Sequence, residues 1–176
     1  MSGSWRWPCE PESRAYDRGM SARHPPPRRA AVGDAAEAAR LLHDFNTEFQ
    51  TPSPGVGVLS ARLRDLLALD STFAILAGSP SLGVALVTLR RNVWYDGPVA
   101  LLDELYVVPP ARGRGIGASM LDLVVSLACD VDAELMEINV DEGDAGARRF
   151  YERHGFTAVE PDTGEHALYY SRALVR

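Results

Sequence analysis

The sequence predicts a single-domain α/β (α+β) fold, a mixed sheet flanked by about four helices. Three observations carry that expectation. From Arg28 onward, stretches of strand and helix period follow in the order βααβββαβαββ. The apolar run Leu105-Tyr106-Val107-Val108 stops at Pro109-Pro110 and passes through Arg112-Gly113-Arg114-Gly115-Ile116-Gly117 into a helix. A length of 176 residues, with 46% hydrophobic and 24% charged content, is enough for one core without disulfides or metal.

Each element has its own signal. Residues 1–27 hold Trp5, Trp7 and the run Pro25-Pro26-Pro27 with no sustained period, and are expected to be a disordered tail. Within them Met20 reads as an alternative start, and the two tryptophans as an alternative docking segment. The folded domain is expected over 28–176, opening with a short strand at 28–32. Asp34 and Glu37 have the spacing of a capping box, ahead of a helix carrying Ala38, Leu41, Leu42, Phe45 and Phe49. A loop (51–57) precedes a second helix with Leu59, Leu63, Leu66 and Leu67 on one face. Strands are predicted at 72–77, 82–90 and 99–108, punctuated by Gly78-Ser79-Pro80 and Asp96-Gly97-Pro98. The helix at 117–130 is apolar except for a stripe of Ser119, Asp122, Ser126 and Asp130, with Cys129 expected as a small core residue. A strand at 134–140 follows, then a helix capped by Asp144 and closed by Gly155 at the C′ position. Strands at 156–159 and 167–172 end the chain.

Composition excludes several functions. All 18 basic residues are arginine, and the net charge is −6. The first 29 residues carry +3, so the remainder carries −9, which argues against nucleic acid as a partner. No apolar run reaches the ~18 residues of a membrane span, and the N-terminus lacks a secretory apolar core. A cytoplasmic location is therefore expected, and a homodimer is allowed. Two cysteines make no disulfide framework, and no His/Cys/Asp cluster has metal-ligand spacing.

The glycine-rich turn carries the chemistry. A helix start leaves N–H groups unpaired at the positive end of its dipole, and glycines let a ligand approach that backbone. Arg112 and Arg114 add forked donors suited to phosphate oxygens. Such a turn suits a diphosphate, although a purely structural turn has the same composition. Its GxGxG spacing matches neither a Rossmann fingerprint nor a P-loop.

Two segments, LYVVPPARGRGIGASML and DAGARRFYERHGF, together resemble the GNAT superfamily of N-acetyltransferases. The first is similar to the family's Arg/Gln-x-x-Gly-x-Gly/Ala signature through Arg112, Gly115 and Gly117. The second is similar to its Asn-x-x-Ala-x-x-(apolar)-Tyr-x-x-x-Gly-Phe helix through Ala147, Tyr151, Gly155 and Phe156. Asp144 stands where the family often has Asn, and an ionised Asp accepts but does not donate.

The resemblance implies a mostly antiparallel sheet that splays at the cofactor site, with acetyl-CoA as cosubstrate. It implies cofactor contacts from Leu105, Tyr106, Val107, Val108, Arg112, Gly113, Arg114, Gly115, Ile116, Gly117 and Ala118, and from Asp144 in the pantetheine-binding position. A backbone N–H near Leu105 or Tyr106 would face the thioester carbonyl. Glu104 is implied as general base, with Asp103 as second candidate or acceptor-site residue, and Tyr151 as general acid toward the thiolate. Alternation along a strand allows one of the two acids to be merely solvated, and Tyr151 also reads as a packed aromatic. The end of the first helix, with Asp44, Asn46, Glu48, Phe49 and Gln50, reads either as part of an acidic, partly aromatic site for a cationic amine or as a solvated helix end. The activity implied is direct transfer of acetyl to a primary amine of a small cationic acceptor. A non-catalytic acetyl-CoA sensor and a peptide or protein N-acetyltransferase are the competing expectations.

Overall fold

The computed structural model describes residues 26–160 and 162–174. The elements are β1 (Arg28–Arg29), α1 (Ala35–Glu48), α2 (Val56–Leu67), β2 (Thr72–Gly78), β3 (Ser81–Arg90), β4 (Val99–Val107), α3 (Ile116–Cys129), β5 (Leu135–Ile138) and α4 (Ala145–Arg153). They form a five-stranded mixed sheet in the order β1-β2-β3-β4-β5 with four α-helices, as expected. The chain divides into two compact units at Glu137/Ile138.

In the first unit β1 to β4 run antiparallel. β2 is buried over six of its seven residues, a continuous apolar run rather than an alternating one, which marks a strand covered on both faces. Ala35, Ala38, Ala39, Leu41 and Leu42 turn one face of α1 into a core shared with Leu63, Ala74, Leu76, Val84 and Tyr106. The small residues on that face let α1 lie close to the sheet. Polar contacts then fix its position: Ser81 N–H donates to Glu37 Oε1 at 2.7 Å, and Arg40 donates to the Ser81 carbonyl at 3.0 Å. α3 brings Met120, Leu121 and Val124 to the same sheet, with Met120 fully buried. Gly83 allows this approach, because a Cβ there would sit 2.7 Å from the Met120 sulfur.

Several expectations change. The capping box does not form: the Asp34 side chain makes no cap on α1. It reaches backward instead, accepting from the Ala31 N–H at 2.8 Å and from Arg28 at 2.7 and 2.9 Å, across a 3₁₀ turn at Val32–Asp34. The Arg28 guanidinium, helped by that N–H, brings the Asp34 carboxyl down to about 2. Glu37 is free to hold Ser81 because it is not needed as a cap. On α3, Ser119 is buried rather than part of a solvated stripe, its hydroxyl donating to the Ile116 carbonyl at 2.9 Å. Cys129 is half-buried, at the margin of the core rather than within it as expected.

In the second unit Asp144 caps α4 as predicted, accepting from the Ala147 N–H at 2.8 Å. Gly155 ends that helix at φ 84°, and Phe156 N–H returns to the Tyr151 carbonyl. The last two predicted strands do not form as elements. Among the described residues an isolated Val159–His166 bridge joins them, with Ala167 N–H donating to the Ala158 carbonyl and Glu160 N–H to the Glu165 carbonyl, and Leu168, Tyr169 and Tyr170 lie exposed beyond it. Alternating apolar residues there met a segment with no partner strand along most of its length. Among the described residues no helix is long and apolar enough to cross a membrane, and no acidic, His or Cys group could hold a metal.

Leu41 is fully buried at the centre of the α1 interface. Leu41→Ala is expected to lower unfolding free energy by about 2–5 kcal/mol in urea titrations. A loss below about 1 kcal/mol would contradict the placement of α1 in the core.

Candidate functional site

β4 and the turn after it organise the site. Register pairs Leu86 with Glu104 but Val87 with Leu102, so Asp103 is an extra residue, a β-bulge. A bulge re-aims its neighbours, and the two adjacent acids part company here. Asp103 is exposed and accepts from the Thr88 hydroxyl at 2.6 Å. Glu104 is half-buried and lines a cavity of about 190 Å³ with Leu42 and Asn46 of α1, Leu59, Arg62, Leu63 and Leu66 of α2, and Leu86 of β3. Burial, then the neighbouring Asp103 charge, pushes the Glu104 carboxyl up. Burial also raises Asp103, and the Thr88 hydrogen bond opposes it.

Beyond the bulge the backbone becomes the working surface. Val108 N–H donates to the Leu82 carbonyl at 2.9 Å. Alternation along an antiparallel strand then turns the N–H and C=O groups of Leu105 and Val107 away from β3. The Val107 carbonyl indeed accepts from Arg112 Nε at 2.8 Å.

The chain next makes a 3₁₀ turn at Pro109–Ala111 and enters α3 through Gly113 at φ 72° and Gly115 at φ 81°. Gly115 is the N-cap in the left-handed region, where a side chain would be strained, and it offers no capping oxygen. Consequently the N–H groups of Gly113, Gly115, Ile116, Gly117 and Ala118 find no backbone acceptor among the described residues. Five donors without a backbone acceptor, at the positive end of a 14-residue helix, fit a diphosphate. Ile116 points inward and is buried, so it contributes through its backbone.

The side chain of Arg112 has a different partner from the phosphate expected of it. Both ends of its fork are taken by Glu48 at 2.7 and 2.8 Å, and its plane lies over Tyr106, 5.5 Å from the ring centroid. Tyr106 donates its hydroxyl to the same carboxylate at 3.1 Å. The Arg112 guanidinium holds Glu48 below the usual carboxylate range. Burial, then Glu48, raises the Tyr106 phenol. Glu48, expected at the acceptor site, is thus an anchor between α1 and the turn. Phe49 is half-exposed and packs edge-on against Phe45, which meets Tyr106. Asp44 is paired with Arg40. The acidic helix end envisaged from the sequence is therefore mostly neutralised, and neither Phe49 nor Asp103 lines the cavity.

In the second unit Tyr151 is half-buried, with its ring 5.1 Å from Phe150 and 5.7 Å from Phe156. Asp144 spends one carboxylate oxygen on its own helix. Sequence reasoning missed Arg62 and the leucines around it as lining residues. The available signal was an arginine three residues after Leu59, on the apolar side of the second helix.

Residues 41–156 match the Acetyltransferase (GNAT) family, a span that includes the bulge, the cavity, the glycine turn and α4. The chain belongs to this family. GNAT proteins are acyltransferases with acetyl-CoA as cosubstrate, and structures of the fold hold CoA. The backbone cradle at Gly115 fits the diphosphate of that cosubstrate. The chain is 51% identical to a candidate acetyltransferase from Arthrobacter sp. FB24 of known crystal structure, with TM-score 0.81, covering 88% of this chain and 99% of that one. It is 27% identical to the uncharacterized N-acetyltransferase YhfO of Bacillus subtilis, over 78% of this chain and 91% of that protein. Similarity to the mycothiol acetyltransferase of Beutenbergia cavernae is 34%, over 40% of this chain and only 25% of that longer protein.

If Glu48 anchors the GNAT diphosphate turn, Glu48→Ala should weaken CoA binding about fivefold in a calorimetric titration. Tighter binding in the variant would mean that Glu48 competes with phosphate for Arg112.

Proposed function

We propose that this GNAT protein transfers acetyl directly from acetyl-CoA to a primary amine on a small acceptor, which arrives as the ammonium. The single observation that carries the reading is Glu104: a half-buried carboxylate, raised by burial, on a leucine-walled cavity beside the strand that leads to the diphosphate turn. A lysine-like amine has a pKa of about 10.4, so holding it neutral at pH 7 costs roughly 5 kcal/mol. A carboxylate with an upward-shifted pKa in a poorly solvated cavity is suited to take that proton.

Acetyl-CoA supplies the acetyl group as a thioester. Glu104 accepts the ammonium proton, directly or through one water, and the freed nitrogen lone pair attacks the acetyl carbonyl. The outward-facing N–H of Leu105 donates to the carbonyl oxygen as it gains charge. The new C–N bond forms, the C–S bond breaks, the attacking nitrogen's second proton passes through solvent to the departing thiolate, and Tyr151 donates a hydrogen bond to that sulfur. Phenol near pKa 10 and thiol near 8.5 make complete proton transfer uphill by about 2 kcal/mol, so Tyr151 acts chiefly as a hydrogen-bond donor. Among the described residues no thiol or hydroxyl lines the cavity, which favours direct transfer over a covalent acyl-enzyme. The volume of about 190 Å³ lies below the usual range for drug-sized ligands and favours a small acceptor.

Activity should rise with pH as Glu104 ionises, with the acid limb displaced upward from an ordinary glutamate. Glu104→Gln should remove that limb and lower kcat/KM by about 10²-fold or more in a thiol-release assay. Tyr151→Phe should lower kcat about tenfold and leave the acid limb in place. An unchanged pH–rate profile for Glu104→Gln would exclude it as base, and a wild-type rate for Tyr151→Phe would remove the donor role.

A further inference from the structure

The cavity holds two formal charges, Glu104 from β4 and Arg62 from α2; its other lining residues are Asn46 and five leucines. Arg62 shares a helix face with Leu59, Leu63 and Leu66. It makes no hydrogen bond or ion pair with any described residue, and so does not pair with Glu104. Arg28, Arg40, Arg90 and Arg112 of this unit each pair with a carboxylate, whereas Arg64, Arg91 and Arg114 share the unpaired state of Arg62 but do not line the cavity. A guanidinium stays charged at every working pH. Here it borders an apolar cavity whose opposite charge it does not pair with.

Two opposite charges that line one small cavity without neutralising each other form the complement of a zwitterion. A polycation fits poorly. One ammonium can meet Glu104, but a second would face Arg62, and the other nearby acids are occupied. Asp44 is held by Arg40, Glu48 by Arg112, and Asp103 by the Thr88 hydroxyl. The leucine walls call for an apolar body between the charged ends.

Building on the transfer reading above, we propose that the acceptor is amphoteric: an amine on a short apolar body whose far end is a carboxylate, bound by Arg62. Arg62 then selects the substrate, and Glu104 handles its proton. A bidentate guanidinium–carboxylate contact supplies both affinity and direction, presenting the amine end to β4.

The test uses acceptors matched in length and different only at the far end: aminohexanoate, hexylamine and hexanediamine, with their butyl counterparts, followed by thiol release from acetyl-CoA. The wild-type chain is expected to favour the amino acid over the alkylamine by about tenfold or more in kcat/KM, with the diamine last. Arg62→Gln should cut that ratio about tenfold, chiefly through KM for the amino acid. Arg62→Glu should reverse the order toward the diamine. Arg62 is exposed and unpartnered among the described residues, so both variants should keep the wild-type Tm. Equal use of amino acid and alkylamine, or a preference indifferent to Arg62, would overturn this inference and leave acetyl transfer standing. Binding of acetyl-CoA with no turnover of any amine would overturn both.

Discussion

The side chain of Arg112 is committed before any ligand arrives, and much of the site follows from that. Its fork is closed on Glu48 and its Nε on the Val107 carbonyl, so one residue ties the end of α1 to the end of β4. Such a pair, partly exposed, adds little to global stability. Its value is geometric. It fixes where the chain leaves β4, and hence where Gly113 and Gly115 turn it into α3. Under the proposed reading, phosphate recognition falls to backbone N–H groups, which need no side chain to be ordered on binding.

The second constraint is the bulge at Asp103. In a regular strand the two acids would merely face opposite sides of the sheet. The extra residue leaves Asp103 exposed on the Thr88 hydroxyl, while Glu104, opposite Leu86, lines the cavity beneath α1 and α2. The same segment then presents the backbone of Leu105 and Val107 to the far edge. The proposed base, oxyanion donor and diphosphate cradle thus lie in order along one stretch of chain, residues 104 to 118. A stiff, well-paired β3–β4 core holds that stretch in place.

The fold was readable because its signals were local and redundant. Apolar periods placed α1, α2 and α3 to within a few residues, and the Pro109-Pro110 stop and the glycine turn located the cradle. Two motifs at the right separation pointed to the GNAT family, and residues 41–156 match it. What could not be read depended on tertiary partners. Asp34 and Glu37 have capping-box spacing, but Arg28 and the Ser81 N–H compete for them across the chain. The pairing of Glu48 with Arg112 was not legible, because nothing local reveals a partner 64 residues away. The terminal strands had the right alternation but no neighbour to pair with along their length. Arg62 looked like one more solvated arginine, and only the assembled cavity gives it a place.

Cosubstrate capture by the bare backbone at Gly115 underlies every chemical step described. Calorimetric titration of acetyl-CoA into the full-length protein tests it most directly. A saturable one-to-one isotherm that weakens when Gly115 is replaced by alanine, in a variant still folded at the titration temperature although its Tm falls by a few degrees from the strained φ, is the predicted result. Absence of measurable affinity for acetyl-CoA, or an isotherm untouched by that replacement, would contradict the account.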